Sequence, residues 1–359
     1  MIRLVKPYIS FEDVEDNIRE IFASGIHTKG VYSKLLPQKI SEYTGAKHAF
    51  LTTSATTALS MCLRLVGVAK GQEVFISDFS FPASANVAED LGAISILTDV
   101  SLDTYNMLPD NLQSTITRNT KAVIFVDALG NPSGLHEIAA ICREHNIPLI
   151  EDAACSFGSS INGQKVGSIA DLTCFSMHPR KLLTTGEGGA ITTNNDEYAE
   201  ALKIKLNHGA NDEGSFVDYG FNYRMPEIAC AMGCFQIDHI DEVVKERRLQ
   251  YEMYCEHLVP LGFKPQIEEG GAYANRQSVV LSVPQGVSRN ALIAALKERQ
   301  IESTLGTYCL SATPYQRDQY DEIQPNAYWL EQNTITLPCY RGLPLEKVCQ
   351  AIEDALVSL

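Results

Sequence analysis

The sequence contains no basic run, and its 359 residues carry a formal net charge of −15. That excludes an extended electrostatic surface for nucleic acid or for an anionic membrane. It also means that an anionic substrate must be held by local donors and not by a global field. No apolar stretch approaches the ~20 residues of a membrane-spanning helix. The segment from Met1 to Asp16 has no basic start and no apolar middle and turns acidic early, so it does not read as a secretory signal. A cytoplasmic location is the expectation. The ten cysteines are scattered, without a Cys-x-x-Cys pair or a neighbouring histidine cluster. Reduced, mostly buried thiols are expected, and no metal site. The glycine-rich loop Gly186 to Gly189 lacks the Gly-Lys-Ser/Thr ending of a P-loop, which argues against a nucleotide-driven switch. There is no internal repeat and no low-complexity stretch.

What is present is ordinary globular composition, 45% hydrophobic and 20% charged. The length suggests two domains. Apolar strand-like runs alternate with helical patterns between residues 50 and 195. The strands expected are Glu73 to Ser77, Ile94 to Val100, Lys121 to Asp127, Pro148 to Glu151, Leu172 to Ser176 and Ala190 to Thr193. Helical spacing marks Thr57 to Val66, Leu135 to His145 and Glu197 to Asn207. Continuous apolar strands separated by helices predict an α/β fold with a mainly parallel sheet covered on both faces. Pro226 opens a long helical stretch predicted to run to about His257. A strand (Ser278 to Val283) and helices (Arg289 to Arg299, Pro344 to Leu356) follow. The division predicted is a large domain over residues 1–240, with an N-terminal arm, and a smaller α+β domain over 241–359.

Ligands bind parallel sheets outside the carboxyl ends of the strands, and three candidates lie there. Asp152 ends a strand. Ser176 ends another, and the chain then leads to Lys181. Thr53-Ser54-Ala55-Thr56-Thr57 opens a helix, where free N–H groups and hydroxyls suit a phosphate. Taken singly, these are a helix cap, a solvated loop lysine and a plain N-cap. Together they place a carboxylate, an amine and a phosphate cradle on one sheet edge. Lysine can hold an aldehyde cofactor as a Schiff base, and a carboxylate can keep a pyridine nitrogen protonated so that the ring accepts electrons. This is the set that pyridoxal phosphate requires. Phe81, just past a strand end, is a candidate to stack on the ring.

Four runs carry a family resemblance: Glu151-Asp152-Ala153-Ala154, Phe175-Ser176-Met177-His178-Pro179-Arg180-Lys181, Thr184-Thr185-Gly186-Glu187-Gly188-Gly189 and Gly220-Phe221-Asn222-Tyr223-Arg224-Met225. With these the chain resembles the DegT-type (DnrJ/StrS-like) sugar aminotransferases over nearly its whole length. The resemblance implies the aspartate-aminotransferase-like fold (PLP fold type I). It implies Lys181 as the Schiff-base lysine and Asp152 as the partner of the pyridine nitrogen. Ser176 and backbone groups of Ala55 and Thr56 would bind the phosphate, and Phe81 would stack on the ring. Asn222 would reach the phosphate of the neighbouring subunit, which implies a homodimer with shared sites. Arg224 and the region of Thr28 are expected to face substrate. The chain departs from the family pattern at Ala55, where relatives usually have Gly, at Cys155, where many carry Gln or His near the cofactor hydroxyl, and at Met177, where an aromatic is usual.

The activity implied is a two-stage transamination. Glutamate would give its amino group to pyridoxal phosphate, leaving pyridoxamine phosphate. A nucleotide-linked 4-keto or 3-keto deoxyhexose would then receive it, in surface-polysaccharide or deoxyaminosugar synthesis. Lys181 would move the proton in both stages. Two rivals share the fold. A pyridoxamine-phosphate-dependent deoxysugar dehydratase carries His in place of the lysine, and a non-catalytic regulatory member should have lost the lysine or the aspartate. Lys181 and Asp152 are both present.

Overall fold

In the computed structural model, residues 1–317 and 322–359 are described. Seven strands form the central sheet: β1 (His48–Thr52), β2 (Glu73–Ser77), β3 (Ile94–Thr98), β4 (Thr120–Val126), β5 (Leu149–Asp152), β6 (Leu172–Ser176) and β7 (Gly189–Thr193). Their order across the sheet is β1-β7-β6-β5-β4-β2-β3. Only β7 runs against the others, pairing antiparallel with both β1 and β6. The remaining pairs are parallel. The central strands are buried through their middles, as their apolar runs require in a sheet covered on both faces. On one face lie Ala58, Leu59 and Cys62 from the helix Ala55–Leu65. On the other, Leu135, Ile138 and Cys142 come from the helix Leu135–His145.

A second sheet, β8 (Lys264–Pro265), β9 (Val279–Ser282), β10 (Thr304–Leu305) and β11 (Thr334–Leu337), has the order β8-β9-β11-β10 and is antiparallel throughout. It packs on the helices Arg289–Glu298 and Leu345–Val357 around its own core, which includes Val279, Leu281, Leu292 and Ile352. The helix Ile240–Leu258 serves both cores. Ile240, Val243 and Val244 belong to the first, and Tyr251, Tyr254 and Leu258 to the second. We infer a domain division at the start of this helix, between residues 240 and 241.

The single long helix expected after Pro226 is two helices, Glu227–Ile237 and Ile240–Leu258. They break at Asp238 and His239, where His239 leaves helical geometry (φ −112°, ψ 5°). No Gly or Pro marks the break. Ile237 and Ile240 are both buried in the same core, so tertiary packing sets it. The first 47 residues, unassigned from the sequence, supply the helices Glu15–Ser24 and Tyr32–Thr44. Ile2 and Leu4 reach across to the second domain. Ile2 pairs with Ile301, and the Leu4 carbonyl accepts the Cys339 N–H at 3.1 Å.

Candidate active site

A cavity of about 530 Å³ opens over the carboxyl ends of β4, β5 and β6. Six of the residues singled out from the sequence line it: Ala55, Thr56, Phe81, Asp152, Ser176 and Lys181. The topology brings them together. Asp152 and Ser176 end neighbouring parallel strands, and Ala55 begins the helix that follows β1.

Lys181 is half-buried on a loop that closes on itself. The Met177 N–H donates to the Gly188 carbonyl (2.9 Å), the Thr185 N–H to that of Met177 (3.0 Å), and the Lys181 N–H to that of His178 (2.8 Å). Buried Gln236 braces the loop from outside, accepting the Thr184 N–H at 3.0 Å and donating to the Thr184 carbonyl at 2.6 Å. The Lys181 ammonium donates to Cys155 Sγ at 3.1 Å. Cys155, the departure from the family pattern, is therefore the immediate neighbour of the amine. Partial burial holds the His178 imidazole below its ordinary pKa; Glu187 opposes this, and Lys181 and Arg180 reinforce it.

Asp152 is buried, yet its carboxylate has two donors. Ser84 Oγ donates to Oδ2 at 2.7 Å and the Ala154 N–H to Oδ1 at 3.2 Å. Burial pushes its pKa up, while Ser84, Ala154 and the charge on Lys181 pull it back. Two more buried carboxyls flank it. Asp127, just past the end of β4, accepts the Ser156 hydroxyl, and Glu151 accepts that of Thr173 at 2.7 Å. Asp127 Oδ1 and Glu151 Oε1 have no other partner. Burial raises both pKa values, and the neighbouring Glu151 charge raises that of Asp127 further. Of the three carboxyls, Asp152 is the one with a donor on each oxygen.

The phosphate-like cradle is the start of the helix Ala55–Leu65. Ser54 Oγ accepts the Thr57 N–H and Thr57 Oγ1 accepts the Ser54 N–H, each at 3.1 Å, a reciprocal capping box. Of the first-turn donors, Ala55 and Thr56 remain for a ligand. Gly189 lets β7 approach this turn, since a Cβ there would lie 2.5 Å from the carbonyl carbon of Ser54. Phe81 is 64% exposed at the cavity wall, with its ring 6.2 Å from that of Tyr308. The amine, the buried carboxylate, the hydroxyl of Ser176 and the helix start therefore fit an aldehyde-bearing, phosphorylated pyridine.

The chain does not bring Thr28, Asn222 or Arg224 to this cavity. Asn222 bridges to Asn207, Arg224 lies 3.4 Å from Asn207 Oδ1, and Lys29, next to Thr28, donates to the same oxygen at 2.8 Å. These residues gather around Asn207 instead. Their loop is anchored by buried Glu227, whose carboxylate accepts the N–H groups of Gly30 (2.9 Å), Tyr32 (2.8 Å) and Ser33 (3.0 Å). Ser84, Asp127 and Arg180 were given no site role from the sequence. Asp127 carried the same signal as Asp152, an acid closing an apolar strand run. Ser84 carried none, because its role comes from a contact 68 positions along the chain.

A family model described as the DegT/DnrJ/EryC1/StrS aminotransferase family matches residues 9–355. The chain is 32% identical to a GDP-perosamine synthase of Caulobacter vibrioides, over 88% of each chain. It is 30% identical to the spore coat polysaccharide biosynthesis protein SpsC of Bacillus subtilis, over 97% of this chain and 94% of the relative. Among solved structures, the PLP form of a putative sugar aminotransferase, Spr1654 of Streptococcus pneumoniae, superposes with a TM-score of 0.90 at 26% identity, covering 98% of this chain and 97% of that one.

Proposed function

The chain belongs to the DegT/DnrJ/EryC1/StrS aminotransferase family, and from that premise we propose that it moves an amino group from glutamate to a nucleotide-linked 4-keto or 3-keto deoxyhexose. The enzyme is a sugar aminotransferase dependent on pyridoxal phosphate. The observation that carries the site assignment is the convergence of Lys181, buried Asp152 and the start of the helix Ala55–Leu65 on one cavity.

When bound, pyridoxal phosphate supplies an aldehyde that condenses with amines and a ring that accepts electrons. Lys181 is the residue placed to hold the aldehyde. Once free, its amine takes the proton from the donor's α-carbon and returns it on the other side of the reaction, as a general base and acid. Asp152, which accepts from Ser84 and the Ala154 N–H, would hold the proton on the pyridine nitrogen. Ser176 and the N–H groups of Ala55 and Thr56 bind the phosphate. Phe81 covers one face of the ring and helps to exclude water. In the second stage the same residues would act in reverse on the ketosugar.

We place Asn222, Arg224 and the Thr28 region in the neighbouring subunit's site, so the working unit is a homodimer. Their position outside their own cavity supports this, as do Phe216 (76% exposed) and Tyr219 (57% exposed) beside Asn222. The relatives' names support surface-polysaccharide or deoxyaminosugar synthesis as the setting. Among the described residues no helix is long and apolar enough to cross a membrane. All ten cysteines are free, which supports a reducing, cytoplasmic compartment.

The test is the visible absorbance of the purified protein before and after glutamate. A cofactor band bleached by glutamate and restored by a ketosugar nucleotide is expected. Lys181→Ala should abolish turnover and the lysine-linked band while cofactor remains bound without the covalent link. Full activity in that variant would overturn the assignment.

A further inference from the structure

Five charged side chains line the cavity, together with His178. Asp127, Asp152 and Glu187 stand against Arg180 and Lys181. In the reading above, Lys181 is committed to the cofactor, Asp152 to the pyridine nitrogen and the helix start to the phosphate. Arg180 is left with no task. Its guanidinium makes no hydrogen bond or ion pair among the described residues. Only its backbone N–H is engaged, donating to His178 Nδ1 at 3.2 Å. Arg180 is exposed at the cavity rim, adjacent in sequence to the reacting lysine.

We propose that Arg180 anchors the α-carboxylate of the amino donor. The inference rests on the aminotransferase reading and extends it to the residue that selects the donor. Three observations support it. First, the donor's nitrogen must come to where the Lys181 amine acts, and an amino acid's carboxylate is two bonds from that nitrogen, so the matching cation must lie close to Lys181. Second, the chain carries a net charge of −15, and Glu187 lines the same cavity. An anionic donor therefore meets a repulsive field unless a specific cation receives it. Third, an unpaired guanidinium offers two parallel N–H donors that match a carboxylate, which an ammonium does not.

The proposal separates the two stages, because only the first uses a carboxylate next to the transferred nitrogen. The experiment compares wild type, Arg180→Gln and Arg180→Lys as cofactor-loaded full-length protein. Single-turnover bleaching of the cofactor band is followed against glutamate and a panel of other α-amino acids. The second stage is followed separately, starting from pyridoxamine-phosphate-loaded protein and a ketosugar nucleotide. Cofactor content is measured for each protein. Expected for Arg180→Gln is unchanged cofactor content, an unchanged second stage, and an apparent dissociation constant for glutamate about ten- to a hundredfold higher, the loss typical of a charged hydrogen bond. Arg180→Lys should fall between. An unchanged glutamate constant in Arg180→Gln overturns the proposal and leaves the aminotransferase reading standing. So does a loss confined to the second stage, which would assign the guanidinium to the nucleotide diphosphate, or a loss of cofactor, which would assign it to the cofactor phosphate. A wild type that answers to no α-amino acid overturns both this proposal and the donor assignment.

Discussion

Removing the Ser84 hydroxyl perturbs Asp152 without touching its charge. The two side chains are buried, and Ser84 Oγ stands 2.7 Å from Asp152 Oδ2. A hydrogen bond to an ionised group is worth about 1.5–3 kcal/mol, or roughly one to two powers of ten in an equilibrium constant. In Ser84→Ala the carboxylate keeps only the Ala154 N–H, at 3.2 Å, and the attraction of Lys181. Burial already pushes the Asp152 pKa up, and loss of the hydroxyl that pulls it down moves it further up. Asp152 must be ionised to partner a protonated pyridine. A higher pKa reduces the ionised fraction on the acid side, so the acidic limb of activity should move to higher pH. Cofactor affinity at neutral pH should fall by about tenfold or more. The assay is a pH titration of the bound cofactor's visible band, paired with equilibrium dialysis of the cofactor. Ser84→Thr, which retains the hydroxyl, should behave as wild type. An acidic limb and an affinity both unmoved in Ser84→Ala would refute the view that this hydroxyl tunes Asp152.

Glu227→Gln should lower the urea midpoint by an amount equivalent to about 1–3 kcal/mol. The single amide oxygen can still accept from Gly30 and Ser33, but the amide NH₂ would then face the Tyr32 N–H, which loses its acceptor; an unchanged midpoint would show the clamp to be dispensable. Asp78→Asn should change how stability depends on pH. Burial raises the Asp78 carboxyl from an ordinary 3.8 to about 6, against the pull of Cys309 and Ser311. The folded form therefore keeps a proton that the unfolded chain releases. The associated stability is present below pH ~4 and lost as pH rises through ~6, about two units or about 3 kcal/mol. Urea unfolding of wild type and variant between pH 4.5 and pH 7.5 (roughly the window set by that shift) should show the wild type losing ground; parallel curves would contradict the assignment.

The sheet was legible because buried parallel strands leave long apolar runs. The run from Lys121 to Asp127 and the run ending at Asp152 could hardly be anything else, and Asp152 marked the ligand edge. The helices at Glu15–Ser24 and Tyr32–Thr44 were not legible. Part of their stability is lent by partners far along the chain, as when Glu227 supplies acceptors to the start of the second. The break at Asp238 and His239 was invisible for a related reason, since no local signal precedes it. At the site, the spacing of motifs located Lys181, Asp152, Ser176 and the helix start, all of which line one cavity. Ser84 emerged only when the folded chain brought its hydroxyl to the carboxylate. Asn222 and Arg224 stood in a recognisable run, and the family resemblance assigned Asn222 to the neighbouring subunit; in the folded chain both lie by Asn207, outside the cavity of their own chain.

The N-terminal segment has a further consequence, for how the enzyme comes into being. Leu4 and Val5 form part of the cavity wall, and the segment is held there by groups far along the chain, at Gln300 and Cys339. The Ile2 N–H donates to the Gln300 carbonyl (2.7 Å), and the Cys339 N–H donates to the Leu4 carbonyl (3.1 Å). Closing so long a loop costs little more entropy than closing a moderate one. What it costs is waiting. The seven-stranded sheet can assemble before those groups are made, yet this part of the cavity wall stays open, with Ile2 and Leu4 unsheltered, until Gln300 and Cys339 have emerged. A chain made only as far as the central sheet therefore holds a partly built cleft with loose apolar residues at its mouth.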